Sequence, residues 1–379
     1  MTARSENPIV LAAGGSGGHV FPAEALAGEL VNRGHRLALI TDRRGGVFGD
    51  ALSGIETHHI RAGGVAGKSV VRLMQSAGAL ALGFVQARGI LKCLQPKAVI
   101  GFGGYASVPT MLAASMMGFP TAIHEQNAVL GRANRLLAGR VGRIATSFGE
   151  VRAMPESAKA KVVRTGMPVR QAISEKRGAP YPALTPADAL NILVLGGSQG
   201  ARILSDVVPE ALVSREEGTR LRLRVVQQCR PEDLDRVGKV YRAGGVEAEL
   251  NSFFDDVPAR LAGAHLVISR SGASSVAEIT ALGRPAILVP YVHAVDDHQS
   301  ANAYAVGNAG AGWLMPEGAF TPDVLGQRID DFLRHPETLE KVARCAEVAG
   351  TADAVMRLAD MVEDLLASNG ANSDDRRAA

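Results

Sequence analysis

Residues Val10–Pro22 read VLAAGGSGGHVFP, closing an apolar run from Ile9 to Ala12 with four glycines and a histidine before a helical pattern begins. A strand, a glycine loop and a helix in that order form the opening of a β-α unit, which requires a parallel sheet. Glycines let the backbone turn sharply and bring its N–H groups close to an anion, and the helix N-terminus aims partial positive charge at the same place. The pattern therefore predicts a phosphate or pyrophosphate guest. The dinucleotide fingerprint G-x-G-x-x-G, read from Gly15, needs a third glycine where Val20 stands, so the NAD spacing is missing. His19 adds a group that can exchange a proton near neutral pH, with helix capping as its alternative role.

The alternation continues. Leu37–Thr41, Ala98–Gly101 and Thr121–His124 are further runs of strand length, separated by helical patterns at Ala23–Asn32, Val70–Leu94 and Pro109–Met117. A second series starts at Asn191–Leu195 and runs through Leu223–Gln227, Ala264–Ser269 and Ala286–Pro290. Between the two lies Lys176–Ala189, rich in Pro and Ala and without periodicity, which reads as a linker. With 379 residues, 46% of them hydrophobic, the chain can bury two separate cores. The predicted fold class is α/β, with two doubly wound, Rossmann-like domains. Loops at strand C-terminal ends line the crevice of such a sheet, so Tyr105, Glu125, Gln126 and Asn127 are expected near His19. In the second half, RSGASSVAE (270–278) predicts another anion cradle at a helix start. Glu278 then reads either as a ribose-diol acceptor or as an exposed helix glutamate.

Charge narrows the partners. Between Thr57 and Gly149 there are ten Lys and Arg against one acid, Glu125, so the first half is expected to meet something anionic. Aromatic residues make up 4% of the chain and no nucleic-acid-binding motif occurs, so no nucleic acid is expected. The three cysteines are far apart, giving neither a zinc pattern nor a disulfide framework. The N-terminal apolar run is too short for a signal peptide, which predicts a cytoplasmic protein. Two decoys remain. Asp42 stands where a dinucleotide fold places its ribose-binding acid, although a solvated loop aspartate is the preferred reading. AGGVAGKS (62–69) ends like a phosphate-binding P-loop but has Ala62 where the motif needs glycine.

Within Val70–Leu94, the residues Val70, Leu73, Met74, Ala77, Leu80, Ala81 and Phe84 form a helical stripe expected to face the domain. Val71, Leu82 and Val85 fall off it, flanked by Lys68, Arg72, Arg88 and Lys92. An apolar patch ringed by basic groups predicts docking on an anionic membrane surface through residues 61–92. The charge-free run Leu73–Ala87 is interrupted by Gln75, Ser76 and Gln86 and reads as too short to span.

GGSGGHVFP (14–22), GFGGYAS (101–107), HEQNAVLGRANR (124–135), GGSQGAR (196–202), RSGASSVAE (270–278) and VPYVHAVDDHQSANA (289–303) together resemble the MurG family of UDP-GlcNAc:lipid I N-acetylglucosaminyltransferases. The resemblance covers nearly the whole chain. It implies a GT-B architecture of two domains facing across a cleft: an acceptor and membrane-docking domain over 1–168, a linker over 169–190 and a UDP-GlcNAc domain over 191–345. A C-terminal helix over 346–367 packing back on the first domain and a disordered tail over 368–379 complete the expected organisation. By carry-over, Ser16, Gly17, Gly18, Asn127, Arg170, Ser198, Phe254, Ala273, Ser274, Ser275, Val276, Ala277, Glu278 and Gln299 match positions that bind UDP-GlcNAc. Gly14, Gly15, Gly103, Gly104 and Tyr105 are assigned to the acceptor pyrophosphate, and His19, with Glu125 as the acidic alternative, to proton removal. No cofactor and no metal are implied, despite Asp296 and Asp297.

The implied partners are UDP-GlcNAc, undecaprenyl-linked lipid I, the cytoplasmic face of the cell inner membrane and other cell-wall synthesis proteins. Two positions depart from the family pattern. Met167 replaces the usual Asn before Pro-Val-Arg, and the loop before Gln299 is one residue longer. The alternatives outside this family are an NAD(P)-dependent oxidoreductase and a noncatalytic binder of a lipid-linked pyrophosphate.

Overall fold

The computed structural model describes residues 7–14, 17–42, 54–63, 70–185, 187–197, 200–351 and 353–378. They form two compact units, one running to Arg170 and resuming at Asp353, the other running from Gln171 to residue 351.

In the first unit the described strands are β1 (Ile9–Ala12), β2 (Leu37–Asp42), β3 (Glu56–Ile60), β4 (Ala98–Gly101), β5 (Thr121–Glu125), β6 (Arg143–Thr146) and β7 (Val162–Arg164). They pair in parallel in the order β3-β2-β1-β4-β5-β6-β7. Ile9 of β1 faces Leu37 on one side and Ala98 on the other, so this strand is central and wholly buried. Alternation along β1 separates two apolar layers. Ile9 and Leu11 pack with Ala23, Leu26 and Leu30 of α1 (Gly17–Asn32), whereas Val10 and Ala12 join the layer containing Ala87 and Leu91 of α2 (Val70–Leu94) and Met111 of α3 (Gly104–Met116). A further helix, α4 (Arg132–Leu137), follows β5. The strand order reverses between β1 and β4, and loops leaving the sheet at such a switch point bound its crevice.

Two helix starts differ from expectation. The first helix begins at Gly17 rather than Ala23, and α3 begins at Gly104 rather than Pro109. Residues that read as loop because of their glycines are helical first turns, with Pro22 and Pro109 inside the helices.

The stripe predicted on α2 is rotated. Met74 is 70% exposed and Ala77 and Ala81 are also exposed, while Gly83, Ala87 and Leu91 are buried. The reason is close packing: a Cβ on Gly83 would meet the Arg61 carbonyl oxygen and Pro109, so the helix touches its unit along its smallest side chain. Leu82 and Val85 are exposed as read, the latter by 65%, and Arg88 and Lys92 beside them are exposed. Lys68 and the side chains of Val70, Val71, Arg72 and Leu73 lie outside the described residues. By length and composition Ser76–Leu94 is long and apolar enough to cross a membrane, contrary to the reading that it falls short. Charges at Arg88 and Lys92 are few enough for the flanking apolar residues to outweigh them, yet the stretch packs against its own sheet through Ala87 and Leu91.

The second unit opens with α5 (Gln171–Ser174), then β8 (Leu190–Leu195), α6 (Arg202–Val213), α7 (Glu217–Arg220), β9 (Leu223–Gln228), α8 (Leu234–Gly244), β10 (Glu247–Asn251), α9 (Val257–Gly263), β11 (Leu266–Ser269), α10 (Ala273–Ala281), β12 (Ala286–Leu288), α11 (His298–Asn308), β13 (Gly312–Leu314), α12 (Pro322–Arg334) and α13 (Glu337–Ala349). Its parallel sheet has the order β10-β9-β8-β11-β12-β13, again reversing beside the first strand of the series. The segment read as a linker belongs to this unit. Tyr181 Oη donates to the His265 carbonyl at 2.9 Å, Leu184 is buried in the core, and the buried Arg284 donates to the carbonyls of Ala179, Pro180, Leu261 and Ala262.

Helix α14 (Ala354–Ala378) returns to the first unit, where Leu358, Ala359, Met361, Val362 and Leu365 complete the layer beneath α1. Arg33, the residue after α1, bridges to Asp360 at 2.7 Å and Glu363 at 2.6 Å. This helix continues to Ala378, through the segment expected as a disordered tail from 368, because extending a nucleated helix adds one hydrogen bond per residue ordered.

Candidate functional site

At the switch point of the first sheet, β1 leads through Ala13 to Gly14, and β4 leads into the loop to α3. A Cβ on Gly14 would lie 2.6 Å from the Ala106 Cβ and 3.2 Å from Asp42 Oδ1, so only glycine permits the approach. Gly103 and Gly104 have φ of 83° and 71°, the left-handed region that glycine adopts without strain. The imidazole of His19 lies against both, about the space their missing side chains would take. Because α1 starts at Gly17, His19 stands in its first turn beside the open N–H groups of the helix. Gly14, Gly103, Gly104 and His19 thus meet at one point, and Tyr105, half-buried in the first turn of α3, adjoins it. Gly15 and Ser16 lie outside the described residues.

The loop after β5 supplies the floor. Glu125 is buried, and its carboxylate accepts from the Asn127 amide (3.0 Å), Asn127 Nδ2 (3.4 Å), the Gly131 amide (2.9 Å) and Asn134 Nδ2 (2.8 Å). Four donors to one carboxylate organise the HEQNAVLG loop around it. Gln126, placed by the sequence beside His19, does touch it: His19 Nδ1 lies 3.2 Å from Gln126 Oε1. His124 is wholly buried, with Nε2 at 3.1 Å from the Gly166 carbonyl, and burial pushes its pKa down to about 4. Neither His124 nor Asn134 was assigned a role from sequence; their position in the HEQN…N spacing was the available signal. Arg170 is half-buried, its guanidinium 5.8 Å from the Phe21 ring centroid. Met167, the departure before Pro-Val-Arg, is buried and accepts a hydrogen bond from Ser147 Oγ through its sulfur at 3.6 Å.

Asp42 is 3% exposed at the end of β2, which overturns its reading as a solvated loop residue: the strand runs one residue further than its apolar run and carries the carboxylate under Gly14. The P-loop decoy falls largely on residues 64–69, outside the described residues.

In the second unit the equivalent switch point lies between β8 and β11. Gly196 and Gly197 leave β8; Ser198 is outside the described residues. Helix α10 follows Gly272 directly, so the amides of Ala273, Ser274 and Ser275 occupy its unpaired first turn. The preceding turn is pinned: Ser271 Oγ donates to the Gln299 carbonyl at 2.9 Å and Asn302 Nδ2 donates to the Ser271 carbonyl at 3.0 Å. Gln299 Oε1 accepts from the Tyr291 amide at 3.0 Å, closing the loop that precedes α11. Val276 is buried, Ala277 half-buried, and Glu278 only 9% exposed, which removes the alternative of an exposed helix glutamate. Phe254 is also buried, its ring 4.3 Å from the guanidinium of Arg260, so its neighbour Phe253 is the exposed aromatic of that loop. One feature the sequence did not flag is Arg230, after β9: its stem packs on Gly200, and its Nε is buried with no hydrogen-bond partner among the described residues. Among the described residues no group of His, Cys, Asp and Glu has the arrangement of a metal site.

The chain matches the glycosyltransferase family 28 N-terminal domain over residues 9–146 and the glycosyltransferase family 28 C-terminal domain over residues 191–358. It is 59% identical, over 94% of its length and 96% of the relative's, to the UDP-N-acetylglucosamine–N-acetylmuramyl-(pentapeptide) pyrophosphoryl-undecaprenol N-acetylglucosamine transferase of Paramagnetospirillum magneticum. Its identity to the enzyme of the same name from Rhodospirillum rubrum is 55%, over 93% of this chain and 91% of that one. Among solved structures, MurG of Acinetobacter baumannii superposes with a TM-score of 0.77 at 28% identity, covering 95% of this chain and all of that one.

Proposed function

This chain belongs to the MurG family of N-acetylglucosaminyltransferases, within glycosyltransferase family 28, and we propose that it transfers GlcNAc from UDP-GlcNAc to the C4 hydroxyl of the MurNAc of undecaprenyl-linked lipid I, forming lipid II. The observation that carries the reading is the repeated construction at the two switch points: a glycine loop and a helix first turn in each unit, with His19 added in the first only. Each is a cradle for a diphosphate. The first holds the acceptor pyrophosphate on Gly14, Gly15, Gly103, Gly104 and Tyr105. The second holds the donor on the amides of Ser271–Ser275, Ser198 and Gln299 are further donor contacts by carry-over, and Glu278 accepts from the ribose diol. Ser16, Gly17, Gly18, Asn127 and Arg170 of the first unit, and Phe254, Val276 and Ala277 of the second, remain donor contacts by carry-over.

The acceptor C4 oxygen attacks C1 of GlcNAc while the C1–O bond to UDP breaks on the opposite face, inverting the centre to a β-1,4 linkage. The hydroxyl proton passes to His19 Nε2. The negative charge grows on the β-phosphate, where fixed N–H dipoles stabilise it. Glu125 is assigned to loop order, because both its oxygens already accept from Asn127, Gly131 and Asn134. No metal enters this scheme. Exposed Leu82 and Val85, with Arg88 and Lys92 beside them, support peripheral docking on the anionic cytoplasmic leaflet of the inner membrane, where the acceptor resides. Supply of lipid II links the enzyme to peptidoglycan synthesis, cell shape and division, and to other cell-wall synthesis proteins.

Transfer of label from UDP-[14C]GlcNAc to a short-chain lipid I analogue tests the reading. Wild type should form labelled product only with acceptor present. His19→Ala should lower turnover by about 10²-fold or more, the usual contribution of a general base, at an unchanged melting temperature. Near-normal turnover in an earlier-melting variant would return His19 to helix capping.

A further inference from the structure

The side chain behind His19 decides which of its nitrogens is basic. Gln126 is 2% exposed, and its Nε2 lies 2.9 Å from the Phe102 carbonyl, 3.1 Å from the His124 carbonyl and 3.1 Å from His124 Nδ1. All three can be acceptors. Turning the amide over would set its oxygen against two carbonyl oxygens, so the network assigns nitrogen to that end and Oε1 to the other. An amide oxygen only accepts, and the group 3.2 Å from it is His19 Nδ1. His19 Nδ1 therefore carries the hydrogen, and the lone pair resides on Nε2.

The chain extends one residue further. His124 Nε2–H donates to the Gly166 carbonyl at 3.1 Å, which leaves His124 Nδ1 as the acceptor for Gln126. Burial keeps His124 neutral above a pKa of about 4, so this arrangement holds throughout the working pH range. The hydrogen bonds that link the side chains run the same way, from His19 through Gln126 and His124 to the Gly166 carbonyl, and bonds so aligned polarise one another.

We propose that Gln126 is a positioning residue for the transfer reaction, setting the Nδ1–H tautomer of His19 so that Nε2 faces the acceptor hydroxyl as the base. The inference rests on the transferase reading for its kinetic consequence but not for the tautomer itself. Its amide oxygen also stabilises the imidazolium formed when Nε2 takes the proton, without a carboxylate that could retain it. The ionisable groups around this chain are His124, through Gln126, and Glu125, whose partner Asn134 lies with His19 against Gly103.

The test compares wild type, Gln126→Leu and Gln126→Glu by 15N NMR of histidine-labelled protein and by kinetics on UDP-GlcNAc and a soluble lipid I analogue. Wild type should show His19 as the Nδ1–H tautomer. Gln126→Leu should shift His19 toward Nε2–H and lower kcat by about 10-fold or more, within the range general-base catalysis supplies, with KM for both substrates nearly unchanged. Gln126→Glu keeps an acceptor oxygen at Nδ1 and, with its other oxygen protonated toward the Phe102 carbonyl, should restore the tautomer and most of kcat. Should Gln126→Leu fail to fold, the glutamate variant carries the test through its tautomer. An Nε2–H tautomer in wild type or in Gln126→Glu, or an unchanged tautomer or turnover in folded Gln126→Leu, would overturn the proposal. Absence of any GlcNAc transfer by wild type would instead sink the transferase reading, and the NMR result would still decide the role of Gln126.

Discussion

Single side chains carry the sharpest consequences. Glu278 is buried one to two turns into α10, where a carboxylate can accept from both hydroxyls of a ribose. A hydrogen bond to a charged group contributes about 1.5–3 kcal/mol, so Glu278→Ala should weaken UDP binding by roughly one to two orders of magnitude. The 2′-deoxy analogue, which offers one hydroxyl fewer, should lose less; equal losses in calorimetry would take Glu278 out of the ribose role. His124 gives a pH prediction. Its folded pKa of about 4 lies below the free value of 6.5 because burial disfavours the charged ring. The unfolded chain therefore binds the proton first as pH falls. The stability this group contributes is whole above about pH 6.5 and drains away as pH falls toward 4, on the order of 3 kcal/mol in all. Urea unfolding of the wild type should steepen its pH dependence through that window, and His124→Gln, which cannot titrate, should lack that component.

At the scale of elements, α2 has one face packed on its unit and another in solvent. Gly83, Ala87 and Leu91 bury it in its unit, and Leu82 and Val85 remain in solvent with Arg88 and Lys92. Basic groups near an anionic surface contribute on the order of 1 kcal/mol each, so reversing Arg72, Arg88 and Lys92 to glutamate should release the protein from anionic vesicles at physiological salt. Turnover on a soluble acceptor should survive; undiminished cosedimentation of the triple variant would place docking elsewhere. The same helix shows how far periodicity reaches. Its bounds, Val70–Leu94, were legible, but its buried face was not, because the tightest contact uses a glycine that no hydrophobic stripe reveals. Strands behave alike. Ile9–Ala12 and Ala98–Gly101 stand out because both faces are buried, whereas β3 and β10 are sheet edges whose half-polar sequences lack an apolar run.

For the whole molecule, the chain crosses between its units twice, and α14 makes the second crossing structural. Leu358, Met361, Val362 and Leu365 are core residues of the first unit, each contributing about 1.5–3 kcal/mol by burial, against roughly 5–15 kcal/mol for a whole domain. Ending the chain before Ala354 should therefore abolish slow hydrogen exchange in β1, β4 and β5 while β8 and β11 keep theirs; retained protection in both sheets would show the helix to be dispensable. From sequence alone came the two parallel-sheet units, the glycine loops and the family, since apolar runs, helical spacing and glycine clusters are local consequences of burial and backbone geometry. The tertiary structure decided what depends on residues distant in the chain. His19 meets Gln126 across 107 positions and Arg33 meets Asp360 across 327. Only the sheet order, which brings the end of β1 beside that of β4 and the loop after β5 beneath both, gives His19 a defined tautomer and leaves Glu125 enclosed by donors.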